Sequence, residues 1–245
     1  MKIDFPISEQ IPQLRQLWQE AFGDSDSFLD KFFSIAFAPE RSLCATVDGE
    51  VAAMAYWFDC GEYAYIYAVA TAEKHRGKGI CHGLMGKIHE ILTQRGYSGC
   101  ILVPGEERLR SFYRGMDYEN FGGVNEFDCE AGTPLPLRKI DAVEFATLRR
   151  QYLPKGGVIQ EGENLDFLNC WASYYEGENA LVTAIWEDGE LKLMELLGNE
   201  QAAPGIVASL GAKNGSFRMP GDMPFAMHLP LNDKKVPGYF GFAFD

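Results

Sequence analysis

Hydrophobic and polar residues along the start of the chain follow patterns that predict both helices and strands. Apolar residues recur at helical spacing across 11–21, which predicts an amphipathic helix, and a second helix is expected after Ser25. Two β-like runs, Leu43–Val47 and Val51–Phe58, flank the pair Asp48-Gly49, which is typical of a hairpin turn. The chain is therefore expected to begin as a mixed α and β structure.

The same kinds of pattern continue to about residue 130. Alternating side chains over Tyr63–Thr71 predict a strand. Helical spacing predicts a helix from Gly79 to about Arg95, which Gly96 would end in the left-handed conformation. Three further elements are expected in order: a strand at Cys100–Val103, a helix at Glu106–Gly115 and a strand at Tyr118–Cys129.

A segment rich in proline and glycine, 131–136, is the best candidate for a linker between domains. It predicts two domains, at 1–132 and 133–245. After it, Arg138–Asp141 resembles Met1–Asp4, where a short strand is predicted. A second pair of similar segments, described below, is separated by almost the same number of residues. Short echoes also arise by chance, so duplication and coincidence both stay open.

The elements expected in the second half repeat the order of the first. Asp188-Gly189-Glu190 echoes Asp48-Gly49-Glu50, which predicts a second hairpin turn. The other elements expected there are an aromatic helix at Leu165–Tyr175 and hairpin strands at Leu181–Trp186 and Leu191–Leu197. These could complete a sheet, form a wall of a substrate cleft or make a dimer face.

The composition is that of a folded globular protein, and its charge narrows the choice of partners. Among 245 residues, 47% are apolar, and 22 basic against 35 acidic residues give a net charge of -13. Such a charge repels a phosphate backbone, so nucleic acid is not expected as a partner. It favours a cationic small molecule, although acidic residues also serve solubility alone.

Other features predict a cytoplasmic protein with reduced thiols. No apolar run reaches the ~18 residues of a membrane span, and the first residues lack the apolar core of a signal peptide. The six cysteines show no spacing typical of metal ligands. We therefore expect free thiols, no membrane partner and no metal.

The segment most informative about chemistry is the turn between the strand at Tyr63–Thr71 and the next helix. Its residues Arg76-Gly77-Lys78-Gly79-Ile80-Cys81 would present backbone N–H groups and the positive end of a helix dipole, which suit a phosphate. It is not a P-loop, since no lysine followed by serine or threonine ends it. It is not the dinucleotide fingerprint either, since His82 takes the place of the third glycine.

This turn resembles the R-x-x-G-x-G/A signature of the GNAT (GCN5-related) N-acetyltransferases, and residues 1 to about 130 are similar to that family in element order. Two positions depart from the family pattern: Cys81 replaces a glycine or alanine, and Asp117 replaces a glycine. The resemblance implies a mixed α/β sheet with the GNAT fold and acetyl-CoA as co-substrate. It places the pyrophosphate on the amides of six residues: Arg76, Gly77, Lys78, Gly79, Ile80 and Cys81.

The resemblance also implies roles for three residues near the coenzyme. The backbones of Val69 and Thr71 would pair with the pantetheine arm, and the Val69 N–H would polarise the acetyl carbonyl. Tyr113 stands where the family commonly places the tyrosine that protonates the departing thiolate. A core aromatic is the alternative reading of Tyr113.

The general base is less clear, because Tyr63–Thr71 contains no carboxylate. Tyr65 and Tyr67 occupy the strand face that would line the substrate cleft. They would form an aromatic wall for the substrate or order water toward Asp59 or Glu62. The last residue, Asp245, is a further candidate if the tail folds into the cleft.

Two further interpretations of the helix after Gly79 are weaker. His75, His82 and His89 suggest a metal site, but His82 and His89 are two turns apart, roughly 10 Å along the axis, too far to share an ion. Cys81 at the helix start suggests an acyl-cysteine intermediate. Packing of a small residue is the more ordinary explanation of Cys81.

The second half contains no counterpart of the glycine turn, because 198–205 carries an acidic residue and no basic one. It is expected to be a degenerate GNAT-like domain that does not bind coenzyme A. The sequence thus predicts an N-acetyltransferase domain, acting on a small cationic primary amine, fused to this second domain. The alternative functions are a non-catalytic acyl-CoA sensor and a structural module without a ligand. A homodimer is a further expectation, because the second half could make a dimer face.

Overall fold

The computed structural model describes residues 1–232 and 235–244 and divides the chain into two compact units. Unit 1 comprises Met1–Glu119 and His228–Lys235, and unit 2 comprises Asn120–Met227 and Val236–Asp245, apart from the residues not described. The predicted boundary after residue 132 differs from this division and falls inside unit 2. The reason is that the strand ending at Glu130 pairs with a later strand of unit 2.

Unit 1 contains most of the helices and strands predicted for the first half of the sequence. The strands are β1 (Lys2–Asp4), β2 (Ser42–Val47), β3 (Glu50–Cys60), β4 (Tyr63–Thr71) and β5 (Gly99–Leu102). The helices are α1 (Ile11–Phe22), α2 (Asp26–Lys31), α3 (Ile80–Gln94) and α4 (Glu107–Arg114). A π-helical turn, Phe32–Ala36, continues α2.

The strands of unit 1 form a sheet in sequence order from β1 to β5. Each strand is antiparallel to its neighbour except β5, which is parallel to β4. The hairpin between β2 and β3 turns at Asp48 and Gly49, whose φ angles of 52° and 86° are those of a type I′ turn. The predicted hairpin is confirmed.

The helices of unit 1 begin and end at the residues that the sequence indicates. The Ser25 hydroxyl accepts a hydrogen bond from the Phe28 N–H and caps α2. Gly23 ends α1 and Gly96 follows α3, both with positive φ. Helices α1 and α3 pack against β3 and β4, so those strands are buried. No helix in the described residues has the length and apolarity to span a membrane.

Unit 2 contains the remaining elements. Its strands are β6 (Glu119–Glu130), β7 (Arg138–Ile140), β8 (Ser173–Gly177), β9 (Ala180–Glu187), β10 (Glu190–Gly198), β11 (Asn214–Pro220) and the first part of β12 (Met223–Pro230). Its helices are α5 (Ala142–Tyr152), α6 (Glu163–Leu168) and α7 (Ala203–Ser209).

Strands β7 to β11 of unit 2 repeat the pairing pattern of β1 to β5. They are neighbours in sequence order, each antiparallel to the next, until β11 pairs parallel to β10. Helices α5 and α6 follow the first strand, and α7 follows the fourth, as α1, α2 and α3 do in unit 1. The two units therefore have the same order of elements over this stretch.

The predicted helix at Leu165–Tyr175 is wrong beyond its first turn. Helix α6 ends at Leu168, and Tyr174 lies in β8, where it pairs with Ile140 on one side and Thr183 on the other. Aromatic residues suit a strand as well as a helix. Because β8 pairs with a strand on each side, this segment forms a strand rather than a helix.

A buried ion pair in unit 2 replaces part of the expected apolar core. Both side-chain oxygens of Glu195 accept hydrogen bonds from Arg149, at 2.7 and 2.9 Å, although the two side chains are only 1% and 3% exposed. The Arg149 guanidinium also lies 4.3 Å from the ring centroid of Phe242. A buried charge is costly unless it is paired, so Glu195 offsets the cost of burying Arg149. Through the ring of Phe242, Arg149 also contacts the C-terminal segment of unit 2.

We expect Glu195→Gln to lower the free energy of unfolding by about 3–5 kcal/mol, because Arg149 is left buried without its counter-charge. The matched control is Glu187→Gln, which removes the exposed partner of Lys192 and is expected to cost less than about 1 kcal/mol. Urea denaturation followed by fluorescence measures both. Equal losses in the two variants would contradict this account.

Candidate functional site

Strand β4 leaves β5 partway along its length. The two strands pair only from Tyr63 with Gly99 to Tyr65 with Ile101, whereas β4 continues to Thr71. Beyond Tyr65, the strand pairing of β4 within the described residues is with β3 alone. The edge of β4 that faces β5 therefore offers peptide groups to which an extended ligand can hydrogen-bond.

A β-bulge lies where the strands separate. Between Tyr67 and Ala70, β4 has two residues where β3 has one. The first of these, Ala68, has a φ of 52°, which is uncommon for a residue with a side chain. A bulge bends and twists its strand, so it reorients β4 just beyond Tyr65, the last residue that pairs with β5.

The chain then enters α3 through a glycine loop. Gly77 and Gly79 have φ angles of 72° and 75°, which favour glycine, and both face open space. The first helical hydrogen bond runs from the Gly83 N–H to the Gly79 carbonyl at 3.0 Å. The amides between these residues therefore point out of the positive end of the helix dipole, where an anion binds well.

Basic side chains surround this loop despite the acidic total charge. The Arg76 side chain donates to the Thr71 carbonyl at 3.0 Å and so ties the loop to the end of β4. Lys78 donates to the Lys74 carbonyl at 2.8 Å. Both side chains belong to exposed residues, so their charge adds to the attraction of the loop for an anion.

Tyr113, on α4, is buried beside the start of α3. Burial raises the pKa of its hydroxyl well above the ordinary value, and the nearby Cys81 thiol adds to this shift. The Cys81 side chain is in turn hydrogen-bonded to Thr71 at the end of β4. The structure thus brings Tyr113, Cys81 and Thr71 together, with a phenol that keeps its proton at neutral pH.

Behind Tyr113 lies a second buried tyrosine, Tyr118. The two rings meet edge to face with centroids 5.8 Å apart. The Tyr118 hydroxyl lies 2.9 Å from Nε2 of His89, and burial lowers the pKa of this histidine to about 4. His89 is therefore neutral at pH 7, and its ring contacts the Tyr118 hydroxyl.

Among the described residues, no group of three or more histidine, cysteine, aspartate or glutamate side chains is placed to hold a metal ion.

Tyr65 and Tyr67 share one face of β4, with ring centroids 5.8 Å apart. Tyr65 is buried and stacks on Phe58. Tyr67 is half-buried, and its ring lies 5.6 Å from that of Trp18 on α1. Tyr65 thus belongs to the core, whereas Tyr67 reaches the surface.

The structure does not bring Asp59 or Glu62 to the bulge. The Tyr97 hydroxyl donates to Asp59. Lys235 pairs with Glu62 at 3.0 Å, and its hydrogen bond to Glu62 lowers the pKa of that carboxyl. Val69 is seven residues beyond Glu62, about 23 Å at ~3.3 Å per residue of strand. A water chain over this distance is not supported.

The described residues of unit 2 contain no equivalent of the glycine loop. A 3₁₀ turn, Glu200–Ala202, leads into α7, a helix of seven residues with a proline in its first turn. The other candidate base, Asp245, lies outside the described residues. The phosphate-binding geometry is therefore found in unit 1.

Comparisons with known proteins agree with this geometry. Residues 3–121 match the family model described as "Acetyltransferase (GNAT) domain". No curated protein sequence matches the chain. A GCN5-related N-acetyltransferase from Kribbella flavida is similar in structure, with a TM-score of 0.73 and 18% identity over 94% of this chain and 72% of that one.

Two other solved structures give the same result. A GCN5-related N-acetyltransferase from Anabaena variabilis has a TM-score of 0.73 at 16% identity, over 94% of this chain and 73% of its own. One from Sphaerobacter thermophilus has a TM-score of 0.57 at 11% identity, over 99% of this chain and 98% of its own. At such identities these structures show the fold alone.

The fold and the site define a mixed α/β sheet of the GNAT type, as the sequence predicts. Residues 3–121 match the GNAT acetyltransferase domain model, and the similar solved structures that cover most of this chain are GNAT acetyltransferases. This family uses acetyl-CoA, so acyl transfer is the general chemistry to which the site belongs.

Two side-chain contacts near the site could not be predicted from the sequence. Trp18 has the spacing of a core residue, and nothing in the sequence pairs it with Tyr67 across 49 positions (67 − 18). His89 and Tyr118 are likewise distant in sequence, and their contact depends on the packing of α3. Only the aromatic content of α1 and β4 could have indicated the first pair.

Cys81 is not an activated nucleophile. Burial raises the pKa of its thiol to about 11, so thiolate is scarce at neutral pH. We expect iodoacetamide at pH 7.5 to modify Cys129 at least about tenfold faster than Cys81, because burial raises the pKa of the Cys81 thiol more than that of Cys129. Peptide mass spectrometry measures both rates. Preferential modification of Cys81 would revive the acyl-cysteine interpretation.

Proposed function

We propose that unit 1 is an N-acetyltransferase, which transfers the acetyl group of acetyl-CoA to a primary amine by direct attack. The observation that carries this proposal is the opening between β4 and β5 directly before the glycine loop of α3. Acetyl-CoA has an extended arm that can pair with an open strand edge. Its diphosphate can bind the backbone amides at the start of a helix. The match of residues 3–121 to the GNAT domain model supports acyl transfer in general.

In this proposal each part of the coenzyme has its own residues. The pyrophosphate binds the amides of the loop from Arg76 to Cys81, next to the side chain of Lys78. The pantetheine arm pairs with the backbones of Val69 and Thr71, on the edge of β4 that β5 leaves open. The fixed bulge preorganises these peptide groups before the coenzyme arrives.

The reaction then needs one amide and one phenol. The amine nitrogen attacks the acetyl carbon, and the Val69 N–H stabilises the negative charge that forms on the carbonyl oxygen, an effect worth about 3–4 kcal/mol for such donors. The carbon–sulfur bond breaks, and the thiolate takes the proton of the Tyr113 hydroxyl. The proton lost by the amine passes to water, from which Tyr113 is reprotonated.

The acceptor is proposed to be a small cationic amine, since the net charge of -13 attracts cations. A second candidate function is non-catalytic binding of acyl-CoA, favoured by the absence of a carboxylate from β4. Unit 2 is proposed to be a degenerate copy of unit 1, because it repeats the strand order without the loop. The cytoplasmic location and a homodimer remain predictions.

We expect Gly79→Val to weaken acetyl-CoA binding at least about tenfold, because a β-branched residue resists positive φ and moves the amides at the start of α3. Gly49→Val is the matched control. Gly49 has a φ of 86° and faces open space in a hairpin turn, so it carries similar strain away from the loop. Isothermal titration calorimetry measures both affinities. Equal affinities in the two variants would contradict the assignment of the loop.

We expect Tyr113→Phe to lower kcat about a hundredfold, since the thiolate loses its acid. The affinity for acetyl-CoA should stay within about twofold, because the ring remains. Thiol release across a panel of amines measures turnover, and calorimetry measures binding. Coenzyme binding without thiol release from any amine would favour the sensor instead.

A further inference from the structure

Trp18 is the centre of an aromatic cluster in unit 1 that the proposed chemistry does not use. Five rings lie with centroids 4.5 to 6.3 Å from its own: Phe22, Phe28, Phe32, Phe33 and Tyr67. Trp18 is 2% exposed and Phe32 1%, whereas Phe22 is 47% exposed. We call the four rings that reach the surface the aromatic patch: Phe22, Phe28, Phe33 and Tyr67.

The aromatic patch lies next to the proposed reaction centre. Tyr67 directly precedes Ala68, the bulge residue, and Val69 is about 7 Å further along at ~3.3 Å per residue. A small cavity of about 10 Å³, lined by Trp18, Phe33 and Ala68 among others, lies between the cluster and the bulge. A ligand that packs on Tyr67 would therefore lie about 7 Å from Val69, whose N–H is proposed to hold the acetyl group.

Two carboxylates lie near the patch. Asp24 accepts a hydrogen bond from the Trp18 indole at 2.7 Å, and Asp30 pairs with Arg15 at 2.7 Å. The Arg15 guanidinium lies 5.4 Å from the ring centroid of Phe33, so this ring already contacts one cation. Rings beside acidic groups favour a molecule with an apolar body and a positive charge.

The equivalent place in unit 2 has a different chemistry. Trp18 is the eighth residue of α1, counted from Ile11, and Arg149 the eighth of α5, counted from Ala142. Tyr67 lies two residues beyond the last residue of β4 that pairs with β5, and Glu195 two beyond the last residue of β10 that pairs with β11. An ion pair thus stands where unit 1 has two aromatic rings.

This difference indicates that the fold itself does not require the aromatic rings. The Arg149 guanidinium is covered by Phe242 of the same unit, so unit 2 has no open aromatic surface at this place. In unit 1, Tyr67 is half-buried at this place, and Phe22, one turn after Trp18, is exposed. Exposed apolar groups cost solubility, so their retention at this place points to a ligand.

We propose that the aromatic patch binds the aromatic or equally large apolar body of the amine acceptor, and so selects amphipathic amines over purely polar ones. This inference rests on the proposed function and names its substrate class. The ring of the acceptor packs against Phe33 and Phe22, a short alkyl spacer follows Tyr67, and the amine nitrogen reaches the acetyl carbon held at Val69.

The test compares two amines of similar basicity, 2-phenylethylamine and butylamine, with the full chain and acetyl-CoA. We expect kcat/KM to be at least about tenfold higher for 2-phenylethylamine. Phe33→Ala should remove most of this preference by raising KM for 2-phenylethylamine alone. Phe22→Ala, at a more exposed position, should act in the same direction without a risk to folding.

The matched control is Trp186→Ala, which removes an exposed aromatic side chain of unit 2 and should leave the preference unchanged. Equal kcat/KM for the two amines, or equal losses for both in the Phe33 and Phe22 variants, would overturn the aromatic subsite while leaving acetyl transfer intact. Thiol release from neither these amines nor spermidine, with coenzyme binding retained, would overturn the proposed function and this inference with it.

Discussion

The site in unit 1 depends on the opening between β4 and β5, which the bulge at Ala68 follows. The pairing ends at Tyr65, although β4 runs on to Thr71. This edge of β4 leads into the loop before α3, where Gly77 and Gly79 have positive φ and face open space. A strand edge and a helix end are both made of backbone, so the site depends on chain geometry more than on reactive side chains.

Unit 2 shows that this strand order alone does not make a site. Its strand β10 also stops pairing with β11 partway along, at Leu193. It has no glycine loop after that strand, and the buried pair of Arg149 and Glu195 is covered by Phe242. The same order of elements thus supports an anion-binding opening in one unit and a closed polar core in the other.

Local patterns in the sequence predicted the parts of the structure that local physics decides. Alternation over Tyr63–Thr71, the turn at Asp48-Gly49 and the glycine after α3 each correspond to an element found in the structure. The bulge at Ala68 could not be predicted, because alanine carries no signal for positive φ. The burial of Arg149 could not be predicted either, since an arginine on a helix is usually exposed.

The most direct measurement of the central claim is a crystal structure of the protein with acetyl-CoA. The account predicts the pyrophosphate within hydrogen-bond distance of the amides from Gly77 to Cys81, and the pantetheine arm between β4 and β5. The thioester sulfur should then lie near the Tyr113 hydroxyl. A coenzyme bound elsewhere, or crystals in which this opening stays empty at saturating acetyl-CoA, would contradict it.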